Sequence, residues 1–195
     1  MFEDFKWYPH LKGYKSAWEG HIFYIYNQIQ EWKPKTVVEL GVYLGHSLAT
    51  MAEGCEDAEL DTQLYGVDHF MGDDHAGKFD TEIEDVATEC LSKYPNVTLI
   101  KRCFNRALED WEKRDDTQID LLHIDGRHYY QDIKEDFNNW SKFVPKGGRI
   151  IMHDTQVEGR NFGVKRFFAE LKEQHPEWKF SERLESNGLG ILLKQ

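Results

Sequence analysis

The sequence is poor in cysteine and has no long apolar run. Three cysteines occur among 195 residues, and none forms a Cys-x-x-Cys pair. This argues against a disulfide framework or a thiolate zinc site and favours a reducing compartment. No apolar stretch approaches the ~18 residues of a membrane span, and residues 1–4 do not resemble the start of a signal peptide. We therefore expect a cytoplasmic protein without a membrane span.

Basic charge is also scarce. Lys and Arg total 24 against 35 Asp and Glu, a formal net charge of −11, and no basic block is present. A nucleic acid is therefore not expected as a partner. The length suits one α/β domain with a sizeable core. We predict a single domain over 1–195, in which an aromatic segment and a helix (1–35) precede a core (36–195).

A glycine turn follows the first apolar run of that core. Residues 36–40 favour a strand, Gly41 and Gly45 punctuate the turn, and 48–52 favour a helix. The spacing is Glu39-x-Gly-x-x-x-Gly, which lacks the three close glycines of dinucleotide binders. A carboxylate in the turn would repel a pyrophosphate but would suit a cationic ligand. The alternative is an ordinary tight turn between a strand and a helix.

The remaining pattern alternates strands with helices and ends in an Asn-Gly hairpin signal. It predicts an α/β fold: a Rossmann-like, doubly wound, mostly parallel sheet with helices on both faces and a C-terminal antiparallel hairpin. Pro9, Gly13 and Gly20 predict an irregular segment over 1–20. The further predicted strands are 64–67, 97–100, 119–124, 149–152, 178–184 and 189–193, and the further helices are 21–32, 80–93, 104–113, 129–143 and 161–174.

Polar residues follow several of these strands, where a parallel sheet would bring them to one edge. Asp68 ends the second strand, at a place suited to a ribose diol, and Asp125 with His128 ends the fourth. His153 and Asp154 end the fifth. Each aspartate has a simpler alternative, a helix cap, whereas a shared site would explain all of them. The glycine-rich loop 69–77 is either a cover over that site or a plain surface loop.

A divalent cation suits part of this group. Asp125, His153 and Asp154 offer two carboxylates and an imidazole, a set that suits Mg²⁺ or, with the imidazole, Mn²⁺. Such a metal would lower the pKa of a substrate hydroxyl. His128 is the candidate general base because its ordinary pKa is near neutrality. His123 lies within its strand and is expected to be a core histidine.

Four longer blocks carry a family resemblance. They are 38–47, 67–77, 119–130 and 145–154, with Gly188-Leu189-Gly190 near the end. Together they resemble a branch of the class I S-adenosylmethionine (SAM)-dependent methyltransferases that includes sugar and natural-product O-methyltransferases. The resemblance implies a metal site at Asp125 and Asp154, to which the chemistry of the residues adds His153. The candidate catalytic residues are His128, Asp125 and His153. It implies these cofactor-binding residues: Glu39, Gly41, Tyr43, Gly45, His46, Ser47, Asp68, His69, Phe70, Cys103, Phe104 and Asp125.

The implied reaction is O-methylation of a sugar, a glycan or a small-molecule hydroxyl, assisted by Mg²⁺ or Mn²⁺. Relatives often carry an acidic residue where this chain has Arg127, which leaves the base open between His128 and His153. Three other readings stay open: a nicotinamide oxidoreductase, a non-catalytic ligand-binding module on the same fold, and a metal-dependent hydrolase. The expected partner is a small-molecule or glycan acceptor. Aromatic residues before Trp32 are expected either to cover the site or to form a homo-oligomer interface.

Overall fold

In a computed structural model, which describes residues 3–78 and 81–195, the strands form a seven-stranded sheet and a two-stranded ribbon. The ribbon pairs β3 with β4 and lies in the loop after β2. The strands are β1 (Thr36–Leu40), β2 (Gln63–Asp68), β3 (Gly72–Asp73), β4 (Gly77–Lys78), β5 (Val97–Lys101), β6 (Leu121–Ile124), β7 (Arg149–His153), β8 (Lys179–Arg183) and β9 (Leu189–Leu193).

The order of the large sheet is β5-β2-β1-β6-β7-β9-β8. Strands β5, β2, β1, β6 and β7 pair in parallel, whereas β9 pairs antiparallel with both β7 and β8. The chain winds outward from β1 through β2 to β5, and then from β6 in the other direction. The carboxyl ends of β1 and β6 therefore flank the topological switch point, where open α/β sheets bind ligands.

Helices cover both faces of this sheet, as parallel strands buried on both sides require. One apolar cluster joins the sheet to α1 through α4, and a second joins its other face to α5 through α7. The helices are α1 (Tyr8–Leu11), α2 (Ile22–Trp32), α3 (His46–Asp57), α4 (Thr81–Leu91), α5 (Phe104–Trp111), α6 (Tyr130–Trp140) and α7 (Val164–Gln174), with 3₁₀ turns at Glu19–His21 and Ser141–Phe143.

The predicted fold class is confirmed, with shifts of a few residues at element ends. The described part of 1–20 is largely irregular, as predicted, except for the single helical turn α1 and the start of the 3₁₀ turn at Glu19. Pro9 lies in the first turn of α1, where its missing N–H breaks no helical hydrogen bond. The first two residues of that segment, and residues 79–80 next to α4, lie outside the described residues. Within the described chain, no helix combines the length and apolar character needed to cross a bilayer.

Candidate active site

A cavity of about 570 Å³ lies at the carboxyl ends of β1 and β6. Its wall includes the turn after β1, the residues after β6 and the residues after β7. The cavity therefore lies at the edge of the sheet where the sequence predicts a site. Ten residues predicted for the cofactor, the chemistry or the metal line the cavity: Gly41, Tyr43, Asp68, His69, Cys103, Phe104, Asp125, His128, His153 and Asp154.

Five residues predicted to bind the cofactor do not line the cavity: Glu39, Gly45, His46, Ser47 and Phe70. Glu39 is fully buried and accepts a hydrogen bond from the Ser47 hydroxyl. Its Oε1 lies 2.6 Å from Nδ1 of His123, which is fully buried. The prediction that His123 is a core histidine is therefore confirmed. Burial raises the pKa of Glu39, opposed by the His123 contact. Direct contact of these five residues with a cofactor stays a prediction.

Gly41 brings the first turn against the residues after β6. Its φ is +95°, and a Cβ there would lie 2.1 Å from the Asp125 carbonyl oxygen. Glycine is therefore required at position 41 because two backbone segments touch there, and not only because a ligand would need the space. The Asp68 carboxylate holds the same turn, because it accepts hydrogen bonds from the backbone N–H groups of Val42 (2.9 Å), Tyr43 (3.0 Å) and Phe70 (2.7 Å).

Two carboxylates and two imidazoles meet on the other side of the cavity. His128 Nε2 lies 2.8 Å from Asp154 Oδ2 and 3.8 Å from Asp125 Oδ1. His153 Nδ1 lies 3.4 Å from Asp125 Oδ1 and 3.6 Å from Asp154 Oδ2. The residues proposed from three separate stretches of sequence therefore form one cluster. Asp125, His128 and Asp154 each offer a ligand atom within 4.8 Å of the others' ligand atoms.

The helix-cap alternative fails for both aspartates. Helix α6 begins at Tyr130 after Tyr129, and α7 begins at Val164 after Gly163, and neither has a side-chain cap. Asp154 instead adopts a left-handed conformation, with φ of +61°, directly after β7. Such strain in a residue other than glycine is typical of functional sites.

The charges in this cluster are strongly coupled. Burial disfavours the charged form of Asp125, but His153 and His128 outweigh it and hold the pKa of this carboxyl well below its usual range. Burial likewise opposes the charge on His128, yet Asp125 and Asp154 raise its pKa to about 10. The pKa of His153 is raised to about 9, against burial, chiefly by Asp125. Without a cation both imidazoles carry a second proton, and hence a positive charge, at neutral pH. His128 must lose one proton before it can act as the predicted base.

Sequence reasoning missed the contribution of the loop between β8 and β9. The Ser186 carbonyl accepts hydrogen bonds from His153 Nε2–H (3.0 Å) and from His21 Nε2–H (3.1 Å). The Asn187 amide donates to Asp154 Oδ1 at 2.9 Å. The Asn-Gly pair indicated a hairpin but gave no sign that its tip reaches a site more than 30 residues away.

The acidic face of α6 was also missed. Asp132, Glu135 and Asp136 line the cavity at helical spacing, and Asp136 is buried beside the apolar residues of this helix. Burial, with the nearby charges of Asp132 and Glu135, raises the pKa of Asp136 to about 7. Among the described residues that line the cavity, seven carry carboxylates and two, Lys15 and Arg127, carry permanent positive charge.

Two segments cover the cavity. Residues 15–18 line it, and Trp18 is buried, so part of the aromatic N-terminal segment covers the site as one alternative foresaw. The β3–β4 ribbon contributes Gly72, Asp73 and Ala76, which supports the cover reading of loop 69–77. Arg127 lies at 3.5 Å from carboxylate oxygens of both Asp74 and Asp132, and thereby joins the ribbon to α6.

Among curated proteins, the chain is 34% identical over 185 residues to the uncharacterized protein y4gI of Sinorhizobium fredii, covering 94% of this chain and 20% of that protein. It is 32% identical over 122 residues to the uncharacterized protein R132 of Acanthamoeba polyphaga mimivirus, covering 62% of this chain and 52% of that protein. The chain thus spans about a fifth and about half of the lengths of these relatives.

Among solved structures, the chain is similar to the O-methyltransferase TomG from Streptomyces achromogenes, involved in tomaymycin synthesis and solved with SAM. The TM-score is 0.67 at 15% identity, over 90% of this chain and 80% of that one. The O-methyltransferase from Bacillus cereus, solved with SAH, gives a TM-score of 0.68 at 15% identity, over 97% and 87%. At these identities the likeness shows a common fold.

A family model described as "Methyltransferase domain" matches residues 38–155, more than half of the chain. The matched region begins in β1 and ends just after β7, so it contains both the Gly41 turn and the Asp125–Asp154 cluster. The family resemblance read from the sequence is confirmed: the chain belongs to the methyltransferase-domain family.

Proposed function

We propose that this chain is a SAM-dependent O-methyltransferase that acts on a hydroxyl of a sugar, a glycan or another small molecule, assisted by a divalent cation. Family membership supports the reaction class. Similar folds among O-methyltransferases solved with SAM or SAH support the cofactor. The hydrolase and the binding module are less favoured: a hydrolase could use the Asp125–Asp154 cluster but has no need of the Gly41 turn, and a binding module has no need of the cluster.

The negative charge of the cavity favours SAM over a dinucleotide as the cofactor. Among the described residues, seven carboxylates line the cavity against two permanent cations, and the Gly41 turn lies at its wall. A dinucleotide would bring a pyrophosphate into this negative field, which is unfavourable. SAM has no phosphate and carries a sulfonium and an ammonium, so the same field attracts it. The charge of the cavity therefore supports the argument, made above from the glycine spacing, against a nicotinamide cofactor.

The residues nearest the switch point are suited to the parts of SAM. A carboxylate offers about four lone-pair sites, and Asp68 uses three for backbone N–H groups, so one remains for a ribose hydroxyl. Phe104 and Cys103 line the cavity after β5, where they would border the adenine. These roles follow from position alone, and each is testable by substitution.

The donor set at the far side fits a divalent cation. A carbonyl only accepts, so the Ser186 contact fixes a proton on His153 Nε2. A neutral His153 then directs the lone pair of Nδ1 towards Asp125 and Asp154. Two carboxylates and one imidazole suit Mn²⁺ or Mg²⁺, and such an ion would polarise the acceptor hydroxyl. His128, beside Asp154, is the candidate to take up the proton of the acceptor hydroxyl once it has lost one of its own.

A radiolabelled-methyl assay tests the proposal. The protein is incubated with methyl-labelled SAM and a panel of sugars, nucleotide sugars, glycosides and phenols, with Mn²⁺, with Mg²⁺ or with EDTA. We expect label in at least one hydroxyl compound and greater yield with a cation. Transfer to amines or thiols but to no hydroxyl would contradict the assignment as an O-methyltransferase.

Cation affinity is expected to rise with pH. His153 has a pKa of about 9 in the cation-free protein and must lose its proton to become a ligand. A raised pKa means that protons compete with the cation at neutral pH. The affinity for Mn²⁺ should therefore increase roughly tenfold per pH unit for each proton displaced between pH 6.5 and 8.5. Anaerobic calorimetry checks this, and an affinity that stays flat over this range would rule out His153 as a ligand.

Asn187→Ala is expected to weaken cation binding by about 10- to 100-fold, the usual cost of losing an outer-shell partner of a metal ligand. The substitution removes the amide that orients Asp154. Asn187 also has φ of +68°, which alanine tolerates less well. Mn²⁺ titration measures the effect. Ser186→Ala is the matched control, because Ser186 also has a positive φ (+48°) and its own backbone carbonyl, which holds His153, is retained.

A further inference from the structure

Two histidines outside the Asp125–His153–Asp154 set each keep a buried ring nitrogen without a partner. His75 lies in the β3–β4 ribbon, and its Nε2–H donates to the Arg160 carbonyl at 2.8 Å. Neutral His75 therefore carries its lone pair on Nδ1. Within the described chain, Nδ1 of His75 and Nδ1 of His128 are both buried and make no hydrogen bond. Buried polar atoms of this kind call for an explanation.

Packing holds both rings in these orientations. Phe162 stacks on His128, with ring centroids 4.5 Å apart and an interplanar angle of 18°, and lies 4.4 Å from His75. Tyr129 lies 4.6 Å from His75 on the same side of the site. The rings of His75 and His128 are themselves 5.3 Å apart. Neither imidazole can turn its free nitrogen to water without breaking this packing.

A carboxylate completes the group. Asp73 Oδ1 accepts hydrogen bonds from the backbone N–H groups of His75 and Ala76, which leaves Oδ2 without a hydrogen bond among the described residues. Asp73, His75 and His128 each offer a ligand atom within 4.8 Å of the others' ligand atoms. The set offers two imidazole nitrogens and one anionic oxygen, and His128 must give up a proton to bind a cation because, against burial, Asp125 and Asp154 raise its pKa to about 10. No positively charged side chain forms an ion pair with Asp73 in the described part of the chain.

We propose that Asp73, His75 and His128 form a second divalent-cation site that takes a transition metal in preference to Mg²⁺. Two imidazoles and a carboxylate suit Mn²⁺, Co²⁺ or Zn²⁺, whereas Mg²⁺ prefers oxygen ligands. The site uses none of the three ligands proposed for the methyl-transfer cation, Asp125, His153 and Asp154, but it does use His128, so a filled second site would withhold this imidazole from its proposed role as the base. Asp154 joins the two, since it accepts the Nε2–H of His128 at 2.8 Å, as outer-shell carboxylates do for ligand histidines.

A filled second site would link the β3–β4 ribbon, which covers the cavity, to the residues after β6, which line it. Asp73 and His75 belong to the ribbon, whereas His128 follows β6. A cation held by all three would tie the ribbon to the sheet edge. Amide hydrogen exchange over residues 71–78 should then slow when the second site fills.

Calorimetric titration with Co²⁺ tests the proposal on the full chain. We expect two equivalents for the wild type, one for His75→Gln and one for His153→Gln. The double variant should bind none with comparable affinity. His175→Gln, at a histidine that stacks on Trp178, is the matched control and should keep both equivalents. Exchange over 71–78 should slow with Co²⁺ in the wild type and in His153→Gln, but not in His75→Gln.

The proposal is overturned if His75→Gln binds as many Co²⁺ ions as the wild type, with the same affinities. A wild type that binds one ion supports the site only if His75→Gln loses that ion and His153→Gln keeps it. Circular dichroism establishes folding first. If His75→Gln does not fold, Asp73→Asn replaces it, because that change keeps the side-chain oxygen that accepts the ribbon's hydrogen bonds.

Discussion

Replacing Gly41 by alanine is expected to abolish the binding of SAM and SAH, with at least a ~100-fold loss of affinity. A single methyl group would lie 2.1 Å from the Asp125 carbonyl oxygen, and φ at Gly41 is +95°. The turn after β1 and the residues after β6 would have to separate, and both line the cavity. The cause is a clash between two backbone segments and not the filling of ligand space, so even the smallest side chain suffices.

Gly147→Ala is the matched control for this change. Gly147 has φ of +83° but nothing within 4 Å of its virtual Cβ, and it lies before β7, at the other end of the strands. Alanine there should cost only the ~1–2 kcal/mol of a left-handed residue and leave SAH affinity unchanged. Thermal unfolding and SAH calorimetry on both variants separate lost stability from lost binding. Wild-type affinity in a folded Gly41→Ala variant would refute the placement of the cofactor at this turn.

Asp125→Asn is expected to reduce methyl transfer at least ~100-fold while SAH affinity stays within a few-fold. The side chain keeps its size but loses the charge that faces His153 at 3.4 Å and His128 at 3.8 Å. A cation that polarises the acceptor oxygen contributes several kcal/mol to the transition state, and each ~1.4 kcal/mol is a factor of ten in rate. SAH lacks the sulfonium charge, so its binding should be insensitive to this substitution.

The measurement compares turnover on any acceptor that the wild type methylates, together with SAH and Mn²⁺ affinity. Asp115→Asn supplies the control for the charge change, at an exposed position before β6 and away from the strand's carboxyl end. Unchanged turnover in Asp125→Asn would contradict the proposal that this carboxylate acts in the reaction, directly or through a cation.

Features that depend on local pattern were predictable from the sequence. Alternating strands and helices predicted the sheet, and the Asn-Gly signal predicted the final hairpin. The convergence of Asp68, Asp125 and Asp154 followed from a topological rule, since carboxyl ends of parallel strands share one edge. The cavity between β1 and β6 bears this out.

Contacts between distant segments had no such local signal. The hydrogen bond from His21 to the Ser186 carbonyl joins residues 165 apart, and the Asn187 bond to Asp154 spans 33. Both depend on how the β8–β9 loop folds over the sheet edge. Gly41 was recognised as a tight turn, but its partner, the Asp125 carbonyl, is visible only in three dimensions. The raised pKa of His128 likewise needs the two carboxylates in place.

The most direct test of the central claim is a calorimetric titration with SAM, SAH and NAD, with and without Mn²⁺. We predict binding of both sulfur ligands in the micromolar range and no binding of NAD, because the cavity lining is acidic and the turn lacks the glycines of a dinucleotide site. Absence of SAM and SAH binding under every metal condition, from protein shown to be folded, would contradict the assignment of this cavity as a SAM site.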